Sequence, residues 1–396
     1  MKIAIVTNGK LPMPSVNGGG VETLVDTILS VNENKCLLKI DVYSVYDNEA
    51  ERKSKNYSES KFIYYRHQND SVKLKIKRYA KRILWGERTY PEPVSFSKIK
   101  RDISKEKYDL IIIENTLQPL SGLINKFGQK VILHLHNDWI NSSLDIKYQN
   151  RIAKLINKSA GIMTISEYMK KRILTVAEIK KEKVVVIKNC CDNKFRINDN
   201  VSFNGREFKK KLNIDSQDFV IIFCGRLVDE KGVLELMKAV KKLDFKYKLI
   251  VAGEIEYEQK YSQKLLEEAR KNNRIIMLDY VQHSELYKYY SIADIAVVPS
   301  KWEEPAGLVV IESLEMNVPL ITTRVGGIPE YVYGNNYIMC DTKCLEEQLE
   351  SAIKIARDKI EKGEKIGNNE MPNDKPYGGE GYYDKFVEVI GDFIYK

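Results

Sequence analysis

Two glutamates bracket a short apolar run in the stretch EEPAGLVVIESLE, which covers residues 303–315. The run has helical spacing, so Glu304 is predicted to lie in a loop and Glu312 about two turns inside a helix. Carboxylates accept hydrogen bonds from hydroxyl groups, and the N–H groups at a helix start attract anions. The stretch therefore has the chemistry to hold a nucleotide sugar, with Glu304 on the sugar, the helix start on phosphate and Glu312 on the ribose.

The start of this predicted helix carries the phosphate part of that interpretation. Gly307 has no side chain, which leaves room for a ligand beside the free N–H groups of Leu308 and Val309. The alternative is an ordinary helix whose acidic residues lie near its positive end. That alternative explains Glu303 and Glu304, but it does not explain why Pro-Ala-Gly separates the two acids.

Two cations flank a tight loop earlier in the chain. The segment FVIIFCGRLVDEKG places Arg226 and Lys231 after an apolar strand and before a helix. An arginine fork and a lysine point charge suit the two phosphates of a diphosphate. The alternative is that both cations form ion pairs with their neighbours Asp229 and Glu230.

A glycine-rich loop occupies the equivalent place near the amino terminus. Gly18, Gly19 and Gly20 stand between the first strand and a helix whose apolar residues form one stripe. Without side chains, these residues let backbone N–H groups approach a phosphate at the helix start. The spacing matches neither the dinucleotide fingerprint nor the P-loop, so a flexible loop is the alternative.

Two histidines lie close together in the sequence HLHND. The two-residue period of a strand puts His134 and His136 on one face, with His136 nearer the carboxyl end. Most such histidines pack in a core, but this position at a strand end favours a site role for His136. No metal site is expected, because the sequence has no H-x-x-x-H, no clustered Cys and His, and no D-x-D triplet.

All these residues belong to a chain in which short apolar strands alternate with helical patterns, as in parallel α/β sheets. The predicted strands of the first half cover 3–7, 39–45, 62–66, 109–115, 130–136, 161–166 and 183–189. Those of the second half cover 219–225, 247–254, 274–281, 294–300, 319–325 and 337–340. Two doubly wound domains create a cleft, and ligands of such sheets bind beyond the carboxyl ends of the strands.

A polar, turn-rich stretch without a strong period separates the two sets of strands, so the domain boundary is predicted near residue 192. The expected fold class is α/β, with Rossmann-like doubly wound domains over residues 1–192 and 193–375. A further polar stretch leads into the amphipathic segment YYDKFVEVIGDFIYK, which predicts a terminal helix within 376–396.

The composition excludes the disordered, collagenous and membrane classes, since 43% of the 396 residues are hydrophobic and 30% are charged. No apolar run approaches the roughly 20 residues that span a bilayer, and Met1 to Val6 does not resemble a signal peptide. We therefore expect a cytoplasmic chain whose cysteines are reduced core or surface thiols.

The net charge of +9 is clustered in the segment SVKLKIKRYAKRILWGER. Its apolar residues recur at helical spacing and its cations fill the other faces. The apolar residues are Val72, Ile76, Tyr79 and Ile83, and the cations are Lys73, Lys77, Arg78, Lys81 and Arg82. One interpretation is a solvated helix with a single buried stripe. The other is a basic amphipathic surface, over residues 72–85, for anionic lipid or an anionic acceptor.

The stretch EPAGLVVIE resembles the E-x(7)-E motif of retaining glycosyltransferases of family four, which have the GT-B fold of two facing Rossmann-like domains. Further similar motifs are PSVNGGGVETLV, HLHND, TISEYMKKRI, VVIKNCCDNKF, FCGRLVDEKG and YYSIADIAVVPSKWEEPAGLVVIESLEMNVPLITTRVGGIPE. The amino-terminal KLPMPSVNGGG is similar to a bacterial subset associated with spore-coat and surface polysaccharides.

The resemblance implies a role for each candidate residue. It implies that Arg226 and Lys231 bind the diphosphate and that Gly19 and Gly20 lie near the phosphates. It implies that Glu312 binds the ribose, and that Glu304 and His136 bind the transferred sugar. It also implies transfer with retention, in which the departing phosphate oxygen helps to deprotonate the acceptor and neither glutamate is a nucleophile. The first domain would hold the acceptor and the second the donor, and the terminal helix would pack back on the first.

Two residues depart from the family pattern. Ala306 stands where the family commonly has an aromatic residue, which leaves the sugar specificity open. Asn317 replaces a usual glycine after the helix, and asparagine is the next-best left-handed cap, so the fold is expected to be unaffected.

The sequence therefore predicts a hexosyltransferase that takes a sugar from a nucleotide diphosphate, expected to be UDP, for cell-surface polysaccharide synthesis. The acceptor is a glycan or a lipid-linked glycan, and a peripheral membrane contact through residues 72–85 is predicted with it. The alternatives are a nucleotide-sugar epimerase of the same fold and a non-catalytic glycan-binding protein. No cofactor, metal ion or nucleic acid is expected.

Overall fold

The computed structural model describes residues 1–68, 75–76, 79–80, 83–84, 92–140, 145–176, 178–191, 195, 203–255, 259–367, 374–375 and 377–395. The chain divides into two compact units. Unit 1 comprises Met1–Cys190 with Tyr377–Lys396, and unit 2 comprises Cys191–Pro376. Residue 192, near which the boundary is predicted, lies outside the described residues.

Unit 1 contains one parallel sheet. Its strands are β1 Lys2–Val6, β2 Lys39–Val45, β3 Ser60–Tyr65, β4 Leu110–Glu114, β5 Val131–Leu135, β6 Gly161–Thr164 and β7 Val184–Val186. The seven strands lie in the order β3-β2-β1-β4-β5-β6-β7. The order reverses between β1 and β4, so the loops after these strands are at the switch point where α/β sheets bind ligands.

Unit 2 repeats this design with fewer strands. They are β8 Phe219–Cys224, β9 Tyr247–Ala252, β10 Ile275–Leu278, β11 Ile295–Val298, β12 Leu320–Thr323 and β13 Tyr337–Cys340. The six strands are parallel and lie in the order β10-β9-β8-β11-β12-β13. The switch point lies between β8 and β11, and the loops after these two strands carry the candidate donor residues.

Helices connect the strands in both units. Besides helical residues within 75–84, the helices of unit 1 among the described residues are α1 Gly20–Lys35, α2 Asn48–Ser54, α3 Phe96–Ile103, α4 Leu120–Phe127, α5 Ile146–Lys158, α6 Glu167–Val176 and α13 Gly379–Tyr395. Those of unit 2 are α7 Gly205–Lys211, α8 Val233–Lys241, α9 Gln259–Arg270, α10 Leu286–Tyr290, α11 Leu308–Glu315 and α12 Leu345–Glu361. The central strands β4 (LIIIE) and β8 (FVIIFC) are buried throughout and rich in isoleucine and other apolar residues, as strands covered on both faces require.

The terminal helix α13 packs against α1 of the same unit. Tyr383 donates a hydrogen bond of 2.5 Å from its hydroxyl to Oδ1 of Asn32, a buried residue of α1. Phe386 and Ile390 are fully buried in the core that α1 shares with β1 and β2. Burial of these aromatic and aliphatic side chains holds the end of the chain in unit 1, because it removes a large apolar area from water.

The two parallel sheets confirm the predicted α/β class with Rossmann-like doubly wound domains. The predicted strands extend beyond the observed ones chiefly at their carboxyl ends, where the chain leaves the sheet: the stretch 183–189 forms a strand only over Val184–Val186. The left-handed conformation predicted for Asn317 is confirmed by its φ of 54°. The six cysteines are thiols, as expected: Cys36 and Cys344 are exposed, and the other four are buried.

The structure of the basic amphipathic segment differs from the interpretation as a solvated helix with a single buried stripe. Its cations and Val72 lie outside the described residues, but Ile76, Tyr79 and Ile83 are described and helical. These three side chains are 64%, 67% and 64% exposed, so the predicted buried stripe is wrong for them. Helical spacing places apolar residues on one side of a helix, but it does not ensure that the fold covers that side.

No helix among the described residues is both long enough and apolar enough to cross a membrane.

Candidate functional site

Glu304 lies in the loop after β11 and is only 7% exposed. The hydroxyl of Ser300 donates a hydrogen bond of 2.6 Å to its Oε1. The ammonium group of Lys231, from the loop after β8, forms an ion pair with the same oxygen. A buried carboxylate needs such partners, and here a cation and a hydroxyl supply them.

Two glycines allow the loops around Glu304 to come this close. A Cβ on Gly232, whose φ is +69°, would lie 2.0 Å from the carbonyl oxygen of Pro299. A Cβ on Gly326, whose φ is +54°, would lie 2.2 Å from the carbonyl oxygen of Glu304. The same carbonyl accepts a hydrogen bond of 2.7 Å from the N–H of Gly327. The position of Glu304 is therefore set by backbone contacts that exclude a side chain at either glycine.

The helix α11 begins at Leu308, with Gly307 at its N-cap and no side-chain cap. The N-cap therefore gives no side-chain acceptor to the first N–H groups, those of Leu308 and Val309, and their role in binding phosphate stays a prediction. Glu312 is the fifth residue of α11, so it lies about one turn inside the helix, and the predicted two turns are wrong. The prediction counted from the loop rather than from the observed first residue.

Glu312 has a partner that the sequence analysis did not identify. Nε2 of His283 lies 2.7 Å from Oε1 of Glu312, which is 5% exposed. The ring of Phe195 lies beside His283, with 4.9 Å between the ring centroids. His283 follows β10 in the segment VQHSEL, and its place after a strand was the available signal.

Arg226 and Lys231 both lie in the loop between β8 and α8, but in different surroundings. Arg226 is exposed directly after Gly225. Lys231 pairs with Glu304, while Lys301 lies 2.9 Å from Asp229. The alternative in which Lys231 pairs with Asp229 or Glu230 is therefore wrong, because the following loop brings Glu304 to it instead.

The glycine-rich loop of unit 1 leads into α1. Gly19 is the N-cap, with a φ of 99°, and Gly20 is the first helical residue; both are exposed. Oε2 of Glu22 lies 2.3 Å from where a Cβ on Gly19 would be, so this carboxyl folds back over the helix start. Burial raises the pKa of Glu22, which the sequence analysis did not single out.

His134 and His136 lie together, as the strand period predicts, with 4.1 Å between their ring centroids. The structure adds Glu114, the last residue of the neighbouring strand β4. Oε2 of Glu114 lies 3.1 Å from Nδ1 of His134 and 3.0 Å from Nε2 of His136. Sequence reasoning missed Glu114 because the pairing of β4 with β5, which brings it to the histidines, is not visible in the order of the chain.

Burial and charge set the protonation of this cluster. Burial lowers the pKa of His136 to about 4, with a further contribution from His134, so its imidazole is neutral at pH 7. Burial alone would raise the pKa of Glu114, but the charge and hydrogen bonds of the two histidines outweigh it and lower that pKa to about 2. Within the described part of the chain, these three side chains have donor atoms close enough to share a metal ion, all within 4.8 Å.

Asn115 holds the backbone that carries His136. Its φ is 50°, and its Oδ1 accepts hydrogen bonds from the N–H of His136 at 3.2 Å and of Asn137 at 3.1 Å. The same oxygen accepts a hydrogen bond of 3.0 Å from Nε1 of Trp139. Asparagine tolerates the left-handed region, so Asn115 can adopt this conformation directly after β4. From there its side chain accepts hydrogen bonds from the turn that follows β5.

Two family models match the chain on either side of the division between the units. The model described as "Glycosyltransferase Family 4" matches residues 54–195. The model described as "Glycosyl transferases group 1" matches residues 204–371. The second match contains Arg226, Lys231, Glu304 and Glu312.

Some curated relatives are named for the spore coat or for capsular polysaccharide. The chain is 23% identical over 382 residues to spore coat protein SA of Bacillus subtilis, an alignment that covers 93% of each chain. It is 28% identical over 202 residues to the capsular polysaccharide biosynthesis glycosyltransferase CapM of Staphylococcus aureus, covering 49% of this chain and 52% of the relative. The chain spans about half the length of several other curated relatives that it matches.

Solved structures share the whole fold. Anabaena Alr3699/HepE in complex with UDP-glucose matches with a TM-score of 0.75 at 18% identity, covering 99% of this chain and 100% of that chain. At this identity the likeness concerns the fold, and the roles of side chains depend on the geometry described above.

Proposed function

Because this chain belongs to the family-four glycosyltransferases and has their GT-B architecture of two Rossmann-like domains, we propose that it transfers a hexose from a UDP-sugar with retention. The observation that carries the proposal is the group in unit 2 where Lys231 and Ser300 hold Glu304 beside the uncapped start of α11. Cation, hydroxyl, carboxylate and free N–H groups are the set that a sugar diphosphate needs.

The diphosphate is bound by charge and by backbone dipoles. Lys231 and Arg226 supply the cations, and the N–H groups of Leu308 and Val309 point from α11 toward the anion. On unit 1, Gly19 and Gly20 form a helix start without side chains, which lets the backbone approach a phosphate. Such groups stabilise the charge that develops on the departing phosphate, so the proposal needs no metal ion.

The sugar and the ribose have separate carboxylates. Glu312 binds the ribose hydroxyls, and Glu304 binds hydroxyls of the transferred sugar. His136 of unit 1 is a further candidate ligand for a sugar hydroxyl. Donor binding releases Lys231 from Glu304 toward the phosphate, which frees the carboxylate to accept hydrogen bonds from the sugar. Neither glutamate forms a covalent bond, because the phosphate oxygen that leaves takes up the acceptor proton.

The acceptor is a glycan or a lipid-linked glycan of cell-surface polysaccharide synthesis, which the kinds of relatives support. Ile76, Tyr79, Ile83 and Leu84 expose about two thirds of their surface in a segment whose sequence is rich in lysine and arginine. Exposed apolar side chains beside cations suit the surface of an anionic membrane. We place the enzyme at the inner face of that membrane.

The test is binding followed by turnover. Titration calorimetry with a panel of UDP-sugars and other nucleotide sugars should identify one donor that binds more tightly than its free nucleotide. Release of UDP should then require a glycan acceptor and continue in excess chelator. Conversion of the donor without an acceptor would indicate the epimerase instead, and binding of glycans without any turnover would indicate a non-catalytic protein.

A further inference from the structure

The cluster of Glu114, His134 and His136 contains two ring nitrogens without a protein partner in the described structure. Nδ1 of His136 and Nε2 of His134 are buried, and neither atom has a hydrogen-bond partner among the described residues. A buried polar atom without a partner costs free energy, so an unpaired nitrogen beside a candidate site calls for an explanation.

The position of the carboxylate determines which nitrogens carry protons. An ionised carboxylate accepts hydrogen bonds and has none to donate. Glu114 therefore accepts from Nε2–H of His136, at 3.0 Å, and from Nδ1–H of His134, at 3.1 Å. In a neutral imidazole the other nitrogen is a bare acceptor, and in His136 this is Nδ1.

Of the two nitrogens without a partner, that of His136 is in the better place for a ligand. His134 lies within β5 and is 1% exposed, whereas His136 follows the carboxyl end of β5 and is 7% exposed. Asn115 also fixes the backbone at His136 by accepting its N–H. The adjacent pair Glu114 and Asn115 thus sets both the ring and the main chain of one histidine.

We infer that Glu114 is a positioning residue that holds His136 in the Nε2–H tautomer, so that its bare Nδ1 accepts a hydrogen bond from a hydroxyl group of the sugar. This rests on the proposed function, in which His136 binds a sugar hydroxyl. In the other neutral tautomer, Nδ1 would carry the proton and could only donate a hydrogen bond to that hydroxyl. A fixed acceptor instead lets the hydroxyl donate to His136 while its oxygen accepts from other groups.

The first experiment reads the tautomer directly. In full-length protein with 15N-labelled histidine, long-range 1H–15N correlation at pH 7.5 should show a bare Nδ1 and a protonated Nε2 for His136. The resonances are assigned by comparison with His136→Gln. A protonated Nδ1 in the parent protein would overturn the inference, as would a stoichiometric metal ion that is lost from Glu114→Gln.

The second experiment changes the positioning residue. Because an amide can accept from one histidine but must donate to the other, Glu114→Gln should disturb the tautomers and reduce turnover by roughly tenfold to a hundredfold. Affinity for free UDP should be unchanged. Asp41→Asn is the matched control: this buried carboxylate of unit 1 accepts from Tyr108 at 2.5 Å, and its loss should leave turnover within about twofold of the parent protein.

Two further measurements keep the outcomes distinct. Glu114→Asp retains the carboxylate and should keep the tautomer, with turnover between that of the parent and that of Glu114→Gln. Turnover of Glu114→Gln equal to that of the parent would reject the positioning role. If the parent protein binds no nucleotide sugar, the proposed function fails, whereas the tautomer result still stands by itself.

Discussion

Each unit buries a glutamate where a strand of its sheet ends, but the partners of the two carboxylates differ. Glu114 of unit 1 is held by two histidines, one of them kept neutral by burial, whereas Glu304 of unit 2 is held by Lys231 and Ser300. A cation in a loop can exchange a carboxylate for a phosphate. Two buried imidazoles cannot exchange Glu114 for a ligand in this way. The contacts of Glu114 in unit 1 are therefore fixed, whereas in the proposed function a ligand changes those of Glu304 in unit 2.

The largest expected effect concerns the membrane contact proposed for residues 72–85 of unit 1. Changing Lys77, Lys81 and Arg82 of unit 1 to Glu should abolish co-sedimentation with anionic liposomes. Each cation contributes about 1 kcal/mol near an anionic surface, and reversal replaces attraction with repulsion. Donor binding by unit 2 should be intact in this variant. If the parent protein ignores anionic liposomes at low salt, a soluble acceptor replaces the lipid-linked one.

The exchangeable ion pair of unit 2 is tested next. Lys231→Gln removes a phosphate ligand and also leaves Glu304 buried without its cation, so turnover should fall by about a hundredfold or more. Lys301→Gln is the control, since Lys301 lies in the same loop as Glu304 and pairs with Asp229 and with Glu235 of α8. An equal loss in both variants would mean that charge in these loops, rather than the contact with Glu304, matters.

The two carboxylates of unit 2 should separate in binding and turnover. Glu312→Gln should weaken binding of free UDP by tenfold to a hundredfold, which corresponds to about 1.5–3 kcal/mol for a charged hydrogen bond. Glu304→Gln should leave that affinity nearly unchanged and slow turnover with the intact donor. Titration calorimetry with UDP checks the first statement; parental affinity in Glu312→Gln would refute the ribose role.

The fixed arrangement of unit 1 should appear in the pH dependence of stability. The pKa of His136 is about 4 in the folded protein and near 6.5 when unfolded, so the unfolded state binds the extra proton as the pH falls through this window. Stability present above pH 6.5 should therefore decrease by roughly 2 kcal/mol between pH 7 and pH 5. The lowered pKa of Glu114 adds a further loss below about pH 4.5.

Chemical denaturation across this pH range is the measurement. His136→Gln should show a flatter profile between pH 7 and pH 5, while His67→Gln, which changes an exposed histidine of the same unit, should follow the parent protein. Identical slopes in the parent protein and in His136→Gln would show that His136 is not held neutral by burial.

Local sequence determined much of this protein. The alternation of apolar strands with helical patterns predicted two parallel sheets, since periodicity depends only on which residues face a core. The sequence also allowed the candidate donor ligands to be chosen, because loops at the carboxyl ends of parallel strands bind ligands. These candidates were Arg226, Lys231, Glu304 and Glu312. Asn317 was expected to adopt a left-handed conformation because asparagine is the next-best residue after glycine at that position.

Only the tertiary structure decided which side chains meet. Glu114 reaches His136 because β4 pairs with β5, His283 reaches Glu312 from the loop after β10, and Lys231 meets Glu304 rather than its sequence neighbours. It also decided that Ile76, Tyr79 and Ile83 stay exposed, although their spacing predicted a buried stripe. The physical reason is that contacts between distant segments depend on strand order and packing, whereas a sequence pattern reports only the local face on which a residue lies.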